Sequence, residues 1–164
     1  MDIRVEEAAD RAAVYIIYEE AFGQRIEAEL VQHLRDDGDL ILSLIAHSDT
    51  PDGHVAFSRL AVHETPTIKG SVLAPLAVRP AFQKKGIGSA IVRDGLERLK
   101  ADGYDLVVVL GDPNYYARFG FTPRLASQLK TPYDGPYLQA LALSEKGKEA
   151  HGPVSYARAF AELK

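Results

Sequence analysis

The residues with the most chemistry in their types and spacing are Gln83-Lys84-Lys85-Gly86-Ile87-Gly88-Ser89. An apolar run, Leu73 to Val78, enters them through Arg79-Pro80, and a segment of helical period leaves them. Gly86 and Gly88 let the backbone curve so that successive N–H groups converge on one point. The helix that follows adds its free N-terminal donors and the positive end of its dipole. Such a turn grips an anion, a phosphate above all, and Arg79, Lys84 and Lys85 add charge to it. A solvated basic turn is the bland alternative for the lysines. The glycines weigh against it, because each lowers the stability of a first helical turn by roughly 0.5–1 kcal/mol relative to alanine.

Two familiar phosphate grips fail on residues. A dinucleotide fingerprint needs a third glycine three places after Gly88, where Ile91 stands; a nucleotide phosphate loop needs Gly-Lys-Ser/Thr, and Gly88 runs directly into Ser89. A second signature follows the next strand, Tyr115-Tyr116-Ala117-Arg118-Phe119-Gly120-Phe121. Gln83-x-x-Gly86-x-Gly88 followed by Tyr116-x-x-x-Gly120-Phe121, in a strand–helix–strand–helix frame, closely resembles the acyl-CoA pyrophosphate motif and the next helix of the GNAT N-acetyltransferase superfamily. The resemblance is strongest from Leu73 to Phe121 and is an order of elements elsewhere.

The resemblance implies an α/β fold of GNAT type, a central mixed sheet of about seven strands with about four flanking helices. The sheet would splay between its two parallel central strands, and acetyl-CoA would lie in the gap as cosubstrate. Pro75 suits a strand whose pairing is already broken, since it has no N–H to give to a ladder. Cofactor contacts fall on Leu76, Ala77 and Val78 for the acetyl-pantetheine arm, and on Gln83, Lys84, Lys85, Gly86, Ile87, Gly88 and Ser89 for the pyrophosphate. The family's asparagine contact meets Val109 here, so Asn114 takes it out of register.

Tyr116 matches the position of the family's general acid, which protonates the coenzyme A sulfur as the tetrahedral intermediate collapses. A phenol near pKa ~10 facing a thiol near ~8.5 makes that transfer cheap. On its own, a tyrosine there would read as a core aromatic with a satisfied hydroxyl. Tyr115, Phe119 and Phe121 read as packing. The acceptor amine, near pKa ~10.4, must lose a proton at a penalty of roughly 4–5 kcal/mol at pH 7. His63 and Glu64 at the end of a hairpin strand, and Asp112 beyond the strand before Tyr116, are the base candidates. The glutamate some family members use falls on Val72. No histidine pair has metal-ligand spacing, so no metal is expected.

Those residues need elements to position them. Ile3–Val5 reads as a strand, Ala8–Phe22 and Ile26–Leu34 as amphipathic helices closed by Gly23 and by Asp36-Asp37-Gly38. Leu40–His47 and His54–Val62 form a hairpin around Ser48–Gly53. Ser71–Val78, Gly86–Lys100 and Asp105–Leu110 form a strand–helix–strand unit, so its strands are parallel. Pro113–Phe119 has room for one short helix, and Tyr137–Leu143 with Val154–Phe160 suggests a closing hairpin.

Bulk properties bound the rest. The 164 residues suit a single domain, residues 1–164, with a core that needs no staples. With no cysteine there is no thiol nucleophile, and no Gly-x-Ser-x-Gly elbow is present, so direct transfer to the amine is expected. The start lacks a secretory pattern and no apolar run spans a membrane, which makes the cytoplasm the expected location. A net charge of −4 argues against nucleic acid and mildly favours cationic substrates. Glu19, Glu20 and Glu27 tip the acceptor toward a small-molecule amine. A protein or peptide amine, or a non-catalytic acyl-CoA sensor, remains the alternative, and homodimerisation is implied by the resemblance alone.

Overall fold

The computed structural model describes residues 1–163. In chain order its elements are β1 (Asp2–Val5), α1 (Arg11–Phe22), α2 (Ile26–Asp36), β2 (Leu40–His47), β3 (Pro51–Val62), β4 (Gly70–Val78) and α3 (Ile87–Ala101). There follow β5 (Leu106–Leu110), α4 (Pro113–Tyr116), α5 (Pro123–Ala126), β6 (Leu129–Lys130), β7 (Leu138–Ala142) and β8 (Gly152–Tyr156). Tight 3-10 turns flank these at Ala8–Asp10, Pro80–Phe82, Ala117–Phe119 and Arg158–Glu162.

The helices start and stop where local chemistry dictates. Gly23 ends α1 in the left-handed conformation at φ 69°, and its N–H bonds Glu19 O at 2.9 Å. The inward stripe of α2, Ala28, Leu30, Val31 and Leu34, is buried. On α3 the face made by Ile87, Ile91, Leu96 and Leu99 is buried as well. Gly95 lies so close to the Phe57 ring that a methyl there would collide with it, which lets α3 sit tightly on the sheet.

The strand order is β1-β2-β3-β4-β5-β7, mixed in direction. β4 and β5 are parallel, as the strand–helix–strand reading requires; the remaining pairs along that path are antiparallel. The chain's last third departs from expectation. β7 and β8 do not form a hairpin: β7 pairs with β5, and β8 pairs with Leu60–Val62 of β3. The reason is edge availability. The β2 ladder ends at Leu40↔Ser58, leaving the far end of β3 open on that side, while the outer edge of β5 is open along its whole length. β6 pairs with β8 and brings the sheet to eight strands, and the two four-residue helices α4 and α5 bring the helices to five.

The part of the sheet that matters for function is a divergence. β4 and β5 pair only at Gly70↔Leu106, Ser71↔Val107 and Val72↔Val108. Beyond Val72, Leu73–Val78 has no partner on that side. Opposite, the β3 register jumps from Phe57↔Leu73 to Val55↔Leu76, so Ala74 and Pro75 together face Ala56 in a bulge. The expected splay is therefore present, with Pro75 at its origin.

Candidate active site

A cavity of about 490 Å3 opens where β4 leaves β5, and Leu73, Ala74, Pro75, Leu76, Leu110 and Tyr116 contribute to its wall. Backbone groups of a half-paired strand facing such a gap are free to bond an extended ligand as another strand would. Tyr116 reaches the gap because α4 begins sharply: Pro113 occupies its first turn, and the Asp112 carboxylate caps it by accepting the Asn114 N–H at 2.9 Å. Its ring is held edge-to-face by Tyr115 and Phe121 at centroid separations of 5.0 and 5.8 Å. Below it lies Gly111, where a Cβ would stand 2.7 Å from Tyr116 Cε2.

Burial pushes the Tyr116 phenol up to about 12. The hydroxyl is therefore a proton donor throughout the physiological range. Against a free thiol near ~8.5 the gap is about 3.5 units, or roughly 5 kcal/mol, wider than the sequence suggests. A thiolate released in the same dry gap is destabilised by the same desolvation, which narrows the difference.

A second cavity, of about 320 Å3, continues from the first, since Leu76 lines both. Ala77, Val78, Gln83, Lys84, Gly86, Ile87, Gly88 and Ser89 border it. Lys84 and Gly86 both take left-handed backbone, at φ 65° and 83°, which folds the loop around a concavity. Gln83 stiffens it by donating Nε2–H to Val78 O at 2.9 Å, tying the loop to the end of β4. The first helical bond of α3 runs from Ala90 N–H to Gly86 O, so the N–H groups of Ile87, Gly88 and Ser89 have no acceptor within the helix. These donors, the helix dipole and Lys84 make an anion cradle.

Two side chains join it that sequence reading missed. Arg118 borders the cavity and bonds Ser89 Oγ at 3.3 Å while its guanidinium stacks 4.5 Å from the Tyr115 ring. Tyr115, read as packing, also presents its hydroxyl there, 3.4 Å from Ser89 Oγ. The signal was available: Arg118 follows Tyr115 by three residues, one helical turn, on the face that meets the loop. Gly88 eases this approach, because a Cβ would sit 3.1 Å from the Tyr115 hydroxyl, tighter than ordinary van der Waals contact.

Other anticipated residues lie elsewhere. Lys85 does not border the cradle; its Nζ sits 5.6 Å from the Phe82 ring centroid. Asn114 is exposed and borders neither cavity. His63 bonds Ser155 Oγ at 2.6 Å, and Glu64 faces His151 at 3.3 Å, both exposed and outside the two cavities. Asp112 is exposed and occupied as the cap of α4. None of the three base candidates lines either cavity, though the Asp112 carbonyl accepts the Tyr116 N–H at 3.1 Å. Of the three acidic residues singled out on the helices, Glu27 alone lines the larger cavity, while Glu20 is bound by Arg79 at 2.8 Å. Among the described residues no group of three or more His, Asp or Glu side chains is placed to hold a metal ion, and no helix is long and apolar enough to cross a membrane.

Parallel strands parted over a cavity, with an anion cradle at a helix N-terminus beside it, define an acyltransferase site of GNAT type, and comparison with known proteins agrees. The family model of the acetyltransferase (GNAT) domain matches residues 10–123. The chain is 37% identical over 137 residues to the uncharacterized N-acetyltransferase YhbS of Escherichia coli K12, covering 82% of this chain and 81% of that protein. The structure of E. coli YhbS in complex with CoA superposes with a TM-score of 0.91 at 33% identity, covering 99% of this chain and 93% of that one. A GNAT acetyltransferase of Brucella melitensis in complex with acetyl-CoA gives 0.82 at 35%, covering 97% of each. The chain belongs to the GNAT superfamily of N-acetyltransferases.

Proposed function

We propose that this protein transfers the acetyl group of acetyl-CoA directly to the amine of a small molecule, with Tyr116 as the general acid and residues 1–164 forming one catalytic domain. The observation that carries this reading is the parting of β4 and β5 after Val72↔Val108 beside the half-buried Tyr116 phenol. The acetyl-pantetheine arm would run along Leu76, Ala77 and Val78. The pyrophosphate would meet the cradle from Gln83 to Ser89, with Arg118 added to it and Asn114 and Lys85 left at its margin. The relatives crystallised with CoA and acetyl-CoA support the cosubstrate.

In the transfer, the amine nitrogen bonds the acetyl carbon as the carbon–sulfur bond breaks. An ammonium acceptor gives up two protons in all: one replaces the proton that Tyr116 passes to sulfur, and one leaves to water. Without a cysteine, no thiol of this chain can carry the acetyl group between. The larger cavity, about 490 Å3 and lined in part by Tyr156, Phe160 and Leu163, is of a size that supports a small acceptor over an extended peptide. A homodimer rests on the resemblance to GNAT proteins, and a cytoplasmic location on a cysteine-free composition that suits a reducing interior.

Tyr116→Phe tests the acid. Turnover should fall by about 10²–10⁴-fold, with the acetyl-CoA dissociation constant nearly unchanged by calorimetry. Unchanged turnover would remove Tyr116 from the mechanism. Acetyl-CoA binding with no transfer to any amine would favour a sensor.

A further inference from the structure

The lining of the larger cavity has two parts of different character. One is the backbone edge of β4 already described. The other is an aromatic set, Tyr133 edge-to-face on Tyr156 at 4.9 Å and Tyr156 edge-to-face on Phe160 at 5.6 Å, with Phe22 and Leu30 also contributing apolar surface. One charged side chain enters this lining, Glu27 in the first turn of α2. Its two carboxylate oxygens each accept from Gln24 Nε2 at 3.1 Å, and among the described residues it takes part in no ion pair.

We infer that the acceptor is a primary amine on a compact apolar or aromatic body, its ammonium drawn to the Glu27 carboxylate and its body packed on Tyr133, Tyr156 and Phe160; this rests on the transferase reading above. Three arguments converge. A carboxylate at the cavity wall whose polar partner is a neutral amide leaves room for a cation, and an ammonium takes that place with a stronger, charge-assisted bond. Aromatic faces attract the same ammonium and also bury an apolar body. The lining holds no second charge, so a polyamine or a zwitterionic amino acid would leave an ammonium or carboxylate desolvated and unpaired, which such a wall rejects. The acidic composition of the chain pointed toward a cation, and the aromatic wall adds what the cation must be attached to.

Initial rates of coenzyme A thiol release would be compared for 2-phenylethylamine, 3-methylbutylamine, ethanolamine, spermidine and a lysine-containing peptide. Burying a phenyl or branched alkyl group is expected to raise kcat/KM for the first two by about 10–100-fold over ethanolamine. Glu27→Gln should raise the KM for 2-phenylethylamine about tenfold and leave the KM for acetyl-CoA unchanged. The uncharged 3-phenylpropanol, as a competitive inhibitor, should bind that variant and the wild type equally, which shows the wall intact. Preference for ethanolamine, spermidine or the peptide, with transfer still dependent on Tyr116, overturns this inference and leaves the transferase reading standing. An amine KM unaffected by Glu27→Gln overturns the anchoring role. Acetyl-CoA binding without transfer to any amine overturns both readings.

Discussion

The hydroxyl of Tyr18 donates to the carbonyl oxygen of Pro75 at 2.9 Å, at the bulge where β4 parts from its neighbours. Strand pairing cannot satisfy that carbonyl, since Ala74 and Pro75 together face only Ala56, so a side chain from α1 does. Behind Tyr18 runs a buried chain: His54 Nδ1 at 2.8 Å from the hydroxyl, Glu6 Oε1 at 2.8 Å from His54 Nε2, and Arg35 donating to Glu6 Oε2 at 2.7 Å. Four side chains distant in sequence, Glu6, Tyr18, Arg35 and His54, thus hold the geometry that opens the gap. None of these four side chains borders either cavity; they buttress β4, whose Leu76 lines both.

Tyr18→Phe should therefore cost more than one hydroxyl. It leaves both the Pro75 carbonyl and His54 Nδ1 short of a partner in a buried site, a loss of about 1–3 kcal/mol measurable by urea unfolding. Because Pro75 adjoins the Leu76–Val78 edge, the KM for acetyl-CoA should rise as well. A variant with wild-type stability and wild-type KM would show that the bulge holds without Tyr18.

Acid should weaken the fold in two stages set by the same cluster. Burial holds the His54 imidazole below its ordinary 6.5, against the pull of Glu6. Burial alone would raise Glu6, but His54 and Arg35 together bring it below its usual value of 4.5. For His54 the unfolded chain takes up a proton near pH 6.5 while the folded chain does not. Stability is then full above that pH and falls as pH drops through it. Glu6 adds stability above pH 4.5 that is lost as pH falls through its lower folded value. Urea midpoints across pH 4–8 should stay level down to about 6.5 and then decline. His54→Gln should remove the first stage and shrink the second, since Arg35 alone then holds Glu6 down.

What could be read from the sequence was what short-range chemistry decides. Gly86, Gly88 and Tyr116 announce themselves because a loop before a helix, and a tyrosine in register with Gly120-Phe121, are patterns within a few residues of one another. The parallel β4–β5 pair followed from one intervening helix. What escaped depends on long-range edges. The closing hairpin failed because β7 and β8 each found an open strand elsewhere, which no local period records. In sequence Tyr18 is one residue of an amphipathic helix and His54 the start of a hairpin strand, and only the folded sheet brings them to Pro75. Glu27 was one acidic residue among several on a helix face until the cavity singled it out.

Arg118 gives a test of the cradle that leaves Tyr116 alone. Its guanidinium is fixed between Ser89 and the Tyr115 ring, so it meets an anion already oriented. Arg118→Ala should raise the KM for acetyl-CoA about tenfold, matching one charge-assisted bond at a partly exposed site, with kcat within about twofold of wild type. Added salt should raise the wild-type KM more than the variant's, since a screened charge is what the variant lacks. An unchanged KM would assign the pyrophosphate to the backbone and Lys84 alone.

Gly111 separates the placement of the acid from its presence. Its backbone does not require glycine, because its φ lies outside the left-handed region; the constraint is the Tyr116 ring, whose Cε2 and Cδ2 would lie 2.7 and 3.3 Å from an added methyl. Neither atom belongs to a flexible chain end. The ring is bounded by Tyr115 and Phe121 and must tilt as a body, carrying its hydroxyl with it. Gly111→Ala should lower kcat by about tenfold or more, the scale of a small misplacement of a catalytic group, and leave the acetyl-CoA dissociation constant near wild type. The decisive comparison is the double variant. If the methyl acts only by moving the acid, Gly111→Ala added to Tyr116→Phe should slow the enzyme little further, since the proton donor is already gone. If the two losses multiply instead, Gly111 acts on something other than the Tyr116 hydroxyl.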